Sequence, residues 1–132
     1  MILLKINIFN LLAVGFGGAL GSGSRYQISL WIHEVEPLAT LIVNILGSFL
    51  FAVLLGLLIN RSLKSYTKLF IGTGFFGGFT TMSTVAFDMA GFTQNGEVFL
   101  LILYLFFTLS GGLIAAFLGF FTGRRMVPWF KS

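Results

Sequence analysis

The sequence predicts an all-α membrane protein with four transmembrane helices, folded as one domain over residues 1–132. Three observations carry this reading. The chain is 57% hydrophobic and 9% charged, whereas soluble domains are roughly 25% charged. A domain this small has too little interior to hide so much apolar surface. Its apolar residues also fall into four runs, each near the ~20 residues needed to cross hydrocarbon, and the runs are joined by short polar links that force antiparallel neighbours. There is no cysteine, which excludes a disulfide framework and a thiolate metal site. The one histidine, His33, cannot build a metal site or a triad alone. The apolar run that begins at Ile6 continues past signal-peptide length, so the first residues do not read as a cleavable leader. The formal charge of +4 speaks to topology in such a protein and does not indicate a nucleic-acid partner.

The first run, residues 6–30, carries Gly15, Gly17, Gly18, Gly21, Ser22 and Gly23. Gly17 with Gly21, and Gly18 with Ser22, make small-xxx-small faces. Such faces let helix backbones approach closely, and in lipid that contact drives association. Arg25 follows. It can snorkel to the interface or hold a fixed structural pairing, since charges within a membrane are usually paired. The second run, residues 37–59, places Thr40, Asn44 and Ser48 four apart on one face of an otherwise apolar helix. An asparagine there offers two N–H donors and one acceptor. Chemistry alone favours an interhelical hydrogen bond that fixes packing over a donor to a passing anion.

The third run, residues 69–92, contains Gly74-Phe75-Phe76-Gly77-Gly78-Phe79-Thr80-Thr81-Met82-Ser83-Thr84. Three glycines and four hydroxyl residues interrupt it. A spanning helix tolerates irregular backbone only where protein, water or an ion satisfies it. The stretch therefore reads as a helix broken at mid-membrane with freed carbonyls, or as a glycine-rich packing face. The fourth run, residues 98–121, repeats the small-residue theme with Thr108, Gly112 and Ala116 on one face. Tyr104 and Ser110 are its other polar groups. The chain ends in Gly123-Arg124-Arg125-Met126-Val127-Pro128-Trp129, which resembles a helix end with interfacial anchors.

Nothing in this inventory supports catalysis. Beyond the first link the acids are Asp88 and Glu97, both expected near a membrane surface, and there is no nucleophile with a base, no carboxylate pair and no phosphate loop. Basic residues are distributed unevenly. Lys5, Arg61, Lys64, Lys68, Arg124, Arg125 and Lys131 fall on the side shared by the termini and the second link; only Arg25 falls opposite. The positive-inside rule then predicts one fixed orientation with both termini cytoplasmic.

Three motifs taken together resemble the Fluc (CrcB) family of fluoride channels. They are Gly17-Gly18-Ala19-Leu20-Gly21 followed by Arg25-Tyr26, the segment Ala39-Thr40-Leu41-Ile42-Val43-Asn44-Ile45-Leu46-Gly47-Ser48-Phe49, and the interrupted third run. They stand in the right order over nearly the whole chain. The resemblance implies a multi-pass protein of the bacterial inner membrane that lets fluoride leave the cytoplasm passively and confers fluoride resistance. It implies an antiparallel dimer with two pores, each built from both subunits, and a structural Na+ at the centre. By position the Na+ would be held by the backbone carbonyls of Gly77 and Thr80. The fluoride pathway would include Asn44 and Thr40, which reverses the reading of Asn44 from chemistry alone. Arg25, Gly17 and Gly21 are assigned structural roles, and Tyr104 and Ser110 are assigned to the pathway on the fourth helix.

The chain departs from the family at two places. The family reads Thr-Thr-Phe-Ser-Thr-Phe after the break, and its two phenylalanines line each pore with positive ring edges. Here the positions are Met82 and Val85. The strong Lys/Arg bias is also unexpected for a chain that inserts both ways. Both facts follow if the partner is a homologous subunit of opposite fixed orientation that brings its own phenylalanines. A homodimer that uses Met82, and a subunit that no longer conducts and only supports a partner, are the alternatives. A small multidrug exporter would need an acid inside the first helix, and residues 10–30 contain none.

Overall fold

The computed structural model describes residues 7–32, 36–59 and 63–126. The expectations placed on Lys5, His33, Arg61 and Lys131, and on the anchors Pro128 and Trp129, lie outside the described residues. Among the described residues every regular element is helical. Helix α1 is Ile8–Trp31 and α2 is Glu36–Leu58. Residues 65–79 form α3, made of the turn Ser65–Lys68, a π-helical stretch Leu69–Phe76 and a final turn Gly77–Phe79. Helix α4 is Met82–Gln94 and α5 is Val98–Met126. Among the described residues, three stretches are long and apolar enough to cross a membrane: Pro37–Leu58, Ser65–Gln94 and Val98–Met126. The first expected span, α1, has the length, at 24 residues, but its glycines, serines and Arg25 dilute its apolar character below that of the other three.

The helices pack as two parallel pairs. In the first, α1 lies on α3. A side chain at Gly17 would strike the carbonyl of Phe70, and one at Gly21 the carbonyl of Phe75. From the other side, a side chain at Gly74 would meet the Val14 carbonyl at 2.9 Å, and one at Gly78 the Gly18 carbonyl at 2.5 Å. Both members thus present bare backbone, the geometry that small-xxx-small spacing permits. Gly17 and Gly21 are buried, in the packing role expected of them. In the second pair α2 lies on α5, with Gly56 against Phe120 and Arg124, and with Gly119 and Gly123 against the carbonyls of Phe49 and Val53.

Polar caps close the exposed ends. The Asn7 side chain accepts the Phe9 N–H at 3.0 Å and starts α1. Gly96 turns the chain between α4 and α5 with φ of +72°, a conformation glycine adopts without steric cost. The charges sit where the topology places them: Lys68 shares a cleft with Leu58, Ile59 and Phe120, and Arg124 follows Phe120 on α5. Arg25 lies toward the opposite end of the bundle.

Candidate functional site

The site is built where α3 stops. After Phe79 the chain leaves the helix: Thr80 takes φ −78°, ψ 153° and Thr81 takes φ −150°, ψ 123°. Helix α4 then begins at Met82. Two extended residues within an apolar bundle leave backbone groups that no helix can pair, and in hydrocarbon each costs several kcal/mol if unsatisfied. Their partners are therefore diagnostic.

Asn44 supplies the main pair. Its Oδ1 accepts the Thr81 N–H at 2.8 Å, and its Nδ2 donates to the Thr81 carbonyl at 2.9 Å. One carboxamide thus replaces both hydrogen bonds that a neighbouring backbone would have made. A second N–H on Nδ2 remains without a partner among the described residues. The Gly78 carbonyl, at the end of α3, accepts from Ser22 Oγ at 3.3 Å and from Arg25 Nε at 3.2 Å. A cation at a helix C-terminus is favourable because the carbonyls there carry uncompensated negative charge. Arg25 therefore has a fixed pairing within the bundle. Thr80 bonds back to the Phe76 carbonyl through both its N–H at 3.0 Å and its hydroxyl at 2.8 Å. Thr81 Oγ1 accepts the Thr84 N–H at 3.2 Å and caps α4. The Thr81 N–H, which a continuous helix would send to the Gly77 carbonyl, is diverted to Asn44. The carbonyls of Gly77 and Thr80 receive no side-chain donor among the described residues.

Two clefts meet at Thr81. One, of about 450 Å³, has Ser22, Arg25, Thr40, Thr84 and Asp88 among its walls. The other, of about 560 Å³, is lined in part by Asn44, Ser48, Gly77, Thr80, Met82 and Thr108. The Thr108 hydroxyl is buried with no hydrogen-bond partner, and that of Ser48 also bonds to nothing among the described residues. Leaving a buried hydroxyl unpaired is costly, which makes Thr108 an exception among the buried polar side chains beside this cleft.

A buried polar cluster stands behind the first cleft. Tyr104 donates its hydroxyl to Asp88 Oδ2 at 2.6 Å, and Thr40 hydrogen-bonds the same hydroxyl. All three are less than 8% exposed, so α2, α4 and α5 are joined through one polar contact.

The expected site residues are thus distributed unequally. Asn44, Gly77, Thr80 and Met82 come together at the second cleft, and Thr40 lies at the first. Met82 is 64% exposed there, whereas Val85 is 2% exposed and packed in the core, where it lines neither cleft. Tyr104 lines neither cleft and serves Asp88 instead. Ser110 is turned away; its hydroxyl donates to the Phe106 carbonyl at 2.6 Å on its own helix. Asp88 is buried among the helices, with the Tyr104 phenol and the α2 packing covering it. Sequence reasoning missed Thr108, taking it for a packing residue beside Gly112 and Ala116. The available signal was its spacing of four from Tyr104, matching the spacing of Thr40, Asn44 and Ser48 on the facing helix.

Comparison with known proteins identifies the family. Residues 12–120 match the family model described as CrcB-like protein, Camphor Resistance (CrcB). A protein of Chlorobium chlorochromatii named fluoride-specific ion channel FluC is 46% identical over 121 residues, covering 89% of this chain and 94% of the relative. A protein of the same name from Thermus thermophilus is 41% identical over 120 residues, covering 88% and 94%. One from Bacillus subtilis, named fluoride-specific ion channel FluC 2, is 43% identical over 115 residues, covering 86% and 87%. With a family match over most of its length and relatives of this identity, the chain belongs to the CrcB-like family, a family of ion channels and not of enzymes.

Proposed function

We propose that this chain is a subunit of a passive, fluoride-selective channel that lets fluoride leave the cytoplasm. The carrying observation is the junction at Thr81, where two polar clefts meet inside a bundle that is otherwise apolar. Fluoride is small and strongly hydrated, so a pore must replace its water with donors. The spare N–H of Asn44 and the hydroxyls of Thr108 and Ser48 are such donors, at the second cleft. No carboxylate lines that cleft, which suits an anion path.

In this reading the third crossing is broken at mid-membrane, and a Na+ would be held there by the carbonyls of Gly77 and Thr80. The residues fit such an ion. Backbone carbonyls are hard oxygen donors suited to hard cations, and unwound helices are where transporters coordinate Na+. The diverted Thr81 N–H leaves the Gly77 carbonyl without its helical donor, and a side chain at Gly77 would meet nothing within 4 Å. One chain supplies only two such oxygens. A second subunit related by a two-fold axis supplies two more, so the site and the pores need an antiparallel dimer. When bound, the cation offsets the negative charge of anions on either side.

The partner in that dimer is a homologous subunit of opposite orientation, while this chain keeps both termini in the cytoplasm of a bacterial inner membrane. Support comes from the Lys/Arg bias and from Met82 and Val85 at the family's phenylalanine positions. Val85 is enclosed by its own chain, so the aromatic wall has to come from elsewhere. The decisive measurement is fluoride efflux from liposomes followed with a fluoride electrode. Co-purified pairs are expected to pass fluoride and exclude chloride, and this chain alone is expected to pass little. Robust selective flux from the chain alone would establish a homodimer using Met82. A scaffold without its own pore would leave flux through the pair unchanged when Asn44 is substituted.

A further inference from the structure

We infer that Asn44 is a positioning residue for the interruption of the third crossing, in addition to any contact it makes with the permeating ion. The inference rests on the channel reading above only for its flux readout. The Thr81 amide has two possible acceptors, one in α3 and one in α2. In a continuous helix that N–H donates to the carbonyl four residues earlier, Gly77. Here it donates to Asn44 Oδ1 at 2.8 Å, and the Thr81 carbonyl accepts from Asn44 Nδ2 at 2.9 Å. The carboxamide satisfies both backbone groups of one residue at once and so acts as a substitute β-strand neighbour for Thr81. Asn44 is 7% exposed, so water does not readily take over either bond. Without the carboxamide the Thr81 N–H has one good acceptor within reach, the Gly77 carbonyl. Making that bond extends α3 through Thr81 and consumes an oxygen that the extended conformation leaves free. Asn44 therefore selects between an interrupted and a continuous helix, and through that choice sets whether the Gly77 carbonyl can serve a ligand.

The chain also offers a way to hold the interruption without Asn44. Met82 is the first residue of α4, where proline is well accommodated because its missing N–H is not needed. Proline also pushes the residue before it into extended backbone, which is what Thr81 already adopts. Met82→Pro should thus keep Thr81 extended independently of the carboxamide.

The test uses the full chain in detergent micelles, labelled with 13C and 15N, with the Thr81 Cα and Cβ chemical shifts as the reporter of backbone conformation. Wild type is expected to give extended shifts at Thr81. Asn44→Leu is expected to move them into the helical range, and Asn44→Leu with Met82→Pro to return them to the extended range. If Asn44→Leu does not fold, Asn44→Asp takes its place; it retains an acceptor for the Thr81 N–H but sets a carboxylate oxygen against the Thr81 carbonyl, so the shifts should move partway. Extended shifts in both single variants, with flux through the reconstituted pair lost, would overturn the proposal and leave Asn44 as an ion contact only. Absence of flux from the wild-type pair would defeat the channel reading instead, while the shift experiment would still decide the role of Asn44.

Discussion

The third crossing is irregular twice, and the two irregularities are satisfied in different ways. Over Leu69–Phe76 the helix widens into π geometry, yet each turn still pairs its own N–H and C=O groups. Two residues after Gly78 the helix is abandoned altogether, and the freed groups are satisfied from outside: by Asn44 of α2 at Thr81, and by Ser22 and Arg25 of α1 at Gly78. A widened helix needs nothing from its neighbours beyond room. An extended segment in lipid needs polar side chains brought from other helices, and this bundle commits three of the few it has within the apolar region to that purpose. The second irregularity is thus the one that depends on other helices, because its own bonds at Thr80 and Thr84 leave the Thr81 backbone and the Gly78 carbonyl to be satisfied from α2 and α1.

This contrast can be broken experimentally in three places. The largest effect is expected for Gly78→Ala. The added methyl would meet the Gly18 carbonyl at 2.5 Å and Ser22 Oγ at 3.0 Å, forcing α1 away from α3 and disturbing both bonds to the Gly78 carbonyl. Overpacking of this kind costs about 1–3 kcal/mol, and a chain that still elutes as a stable, monodisperse species with unchanged thermal unfolding would refute the picture. A smaller loss is expected for Arg25→Met. It keeps the aliphatic stem but removes the charged donor, a change worth about 1.5 kcal/mol when one hydroxyl still covers the acceptor. Thermal unfolding in detergent would measure it, and combining it with Ser22→Ala should cost more than the two changes made separately, because together they leave the carbonyl bare. The smallest effect, with the opposite sign, is expected for Gly72→Ala in the π-helical stretch. Its methyl would meet only the Phe51 ring at 3.6 Å, an ordinary contact, so the gain in helix propensity should stabilise by up to about 1 kcal/mol. A loss as large as that of Gly78→Ala would erase the distinction between the two irregularities.

Much of this was legible in the sequence. Hydrophobic runs of spanning length, the small-residue spacing of Gly17 with Gly21, and the cluster of hydroxyls after Phe79 are local signals, and the helices and a close-packing face on α1 follow from them; that α3 is what packs there does not. The side chains around the interruption were less legible. Val85 and Met82 are three residues apart on one helix, yet one is enclosed and the other faces a cleft, because α2 and α5 cover only one side of α4. Ser110 and Thr108 are both hydroxyl residues of α5, and only their rotation about the helix axis separates a residue bonded to its own backbone from one buried with its hydroxyl unpaired. The position of Asp88 near the end of its run was visible in the sequence, and its Tyr104 partner was not.

By itself the sequence determined the class of protein and the family, and it pointed to the interrupted stretch, because hydropathy, helical period and motif order are properties of neighbouring residues. Only the tertiary structure decided what satisfies the interruption. The bond from Thr81 to Asn44 spans 37 residues, and that from Arg25 to Gly78 spans 53. No local pattern specifies such pairs. They form because an unpaired backbone group in an apolar bundle is too costly to leave, and the donor or acceptor that relieves it is whichever the packing of the helices brings within reach.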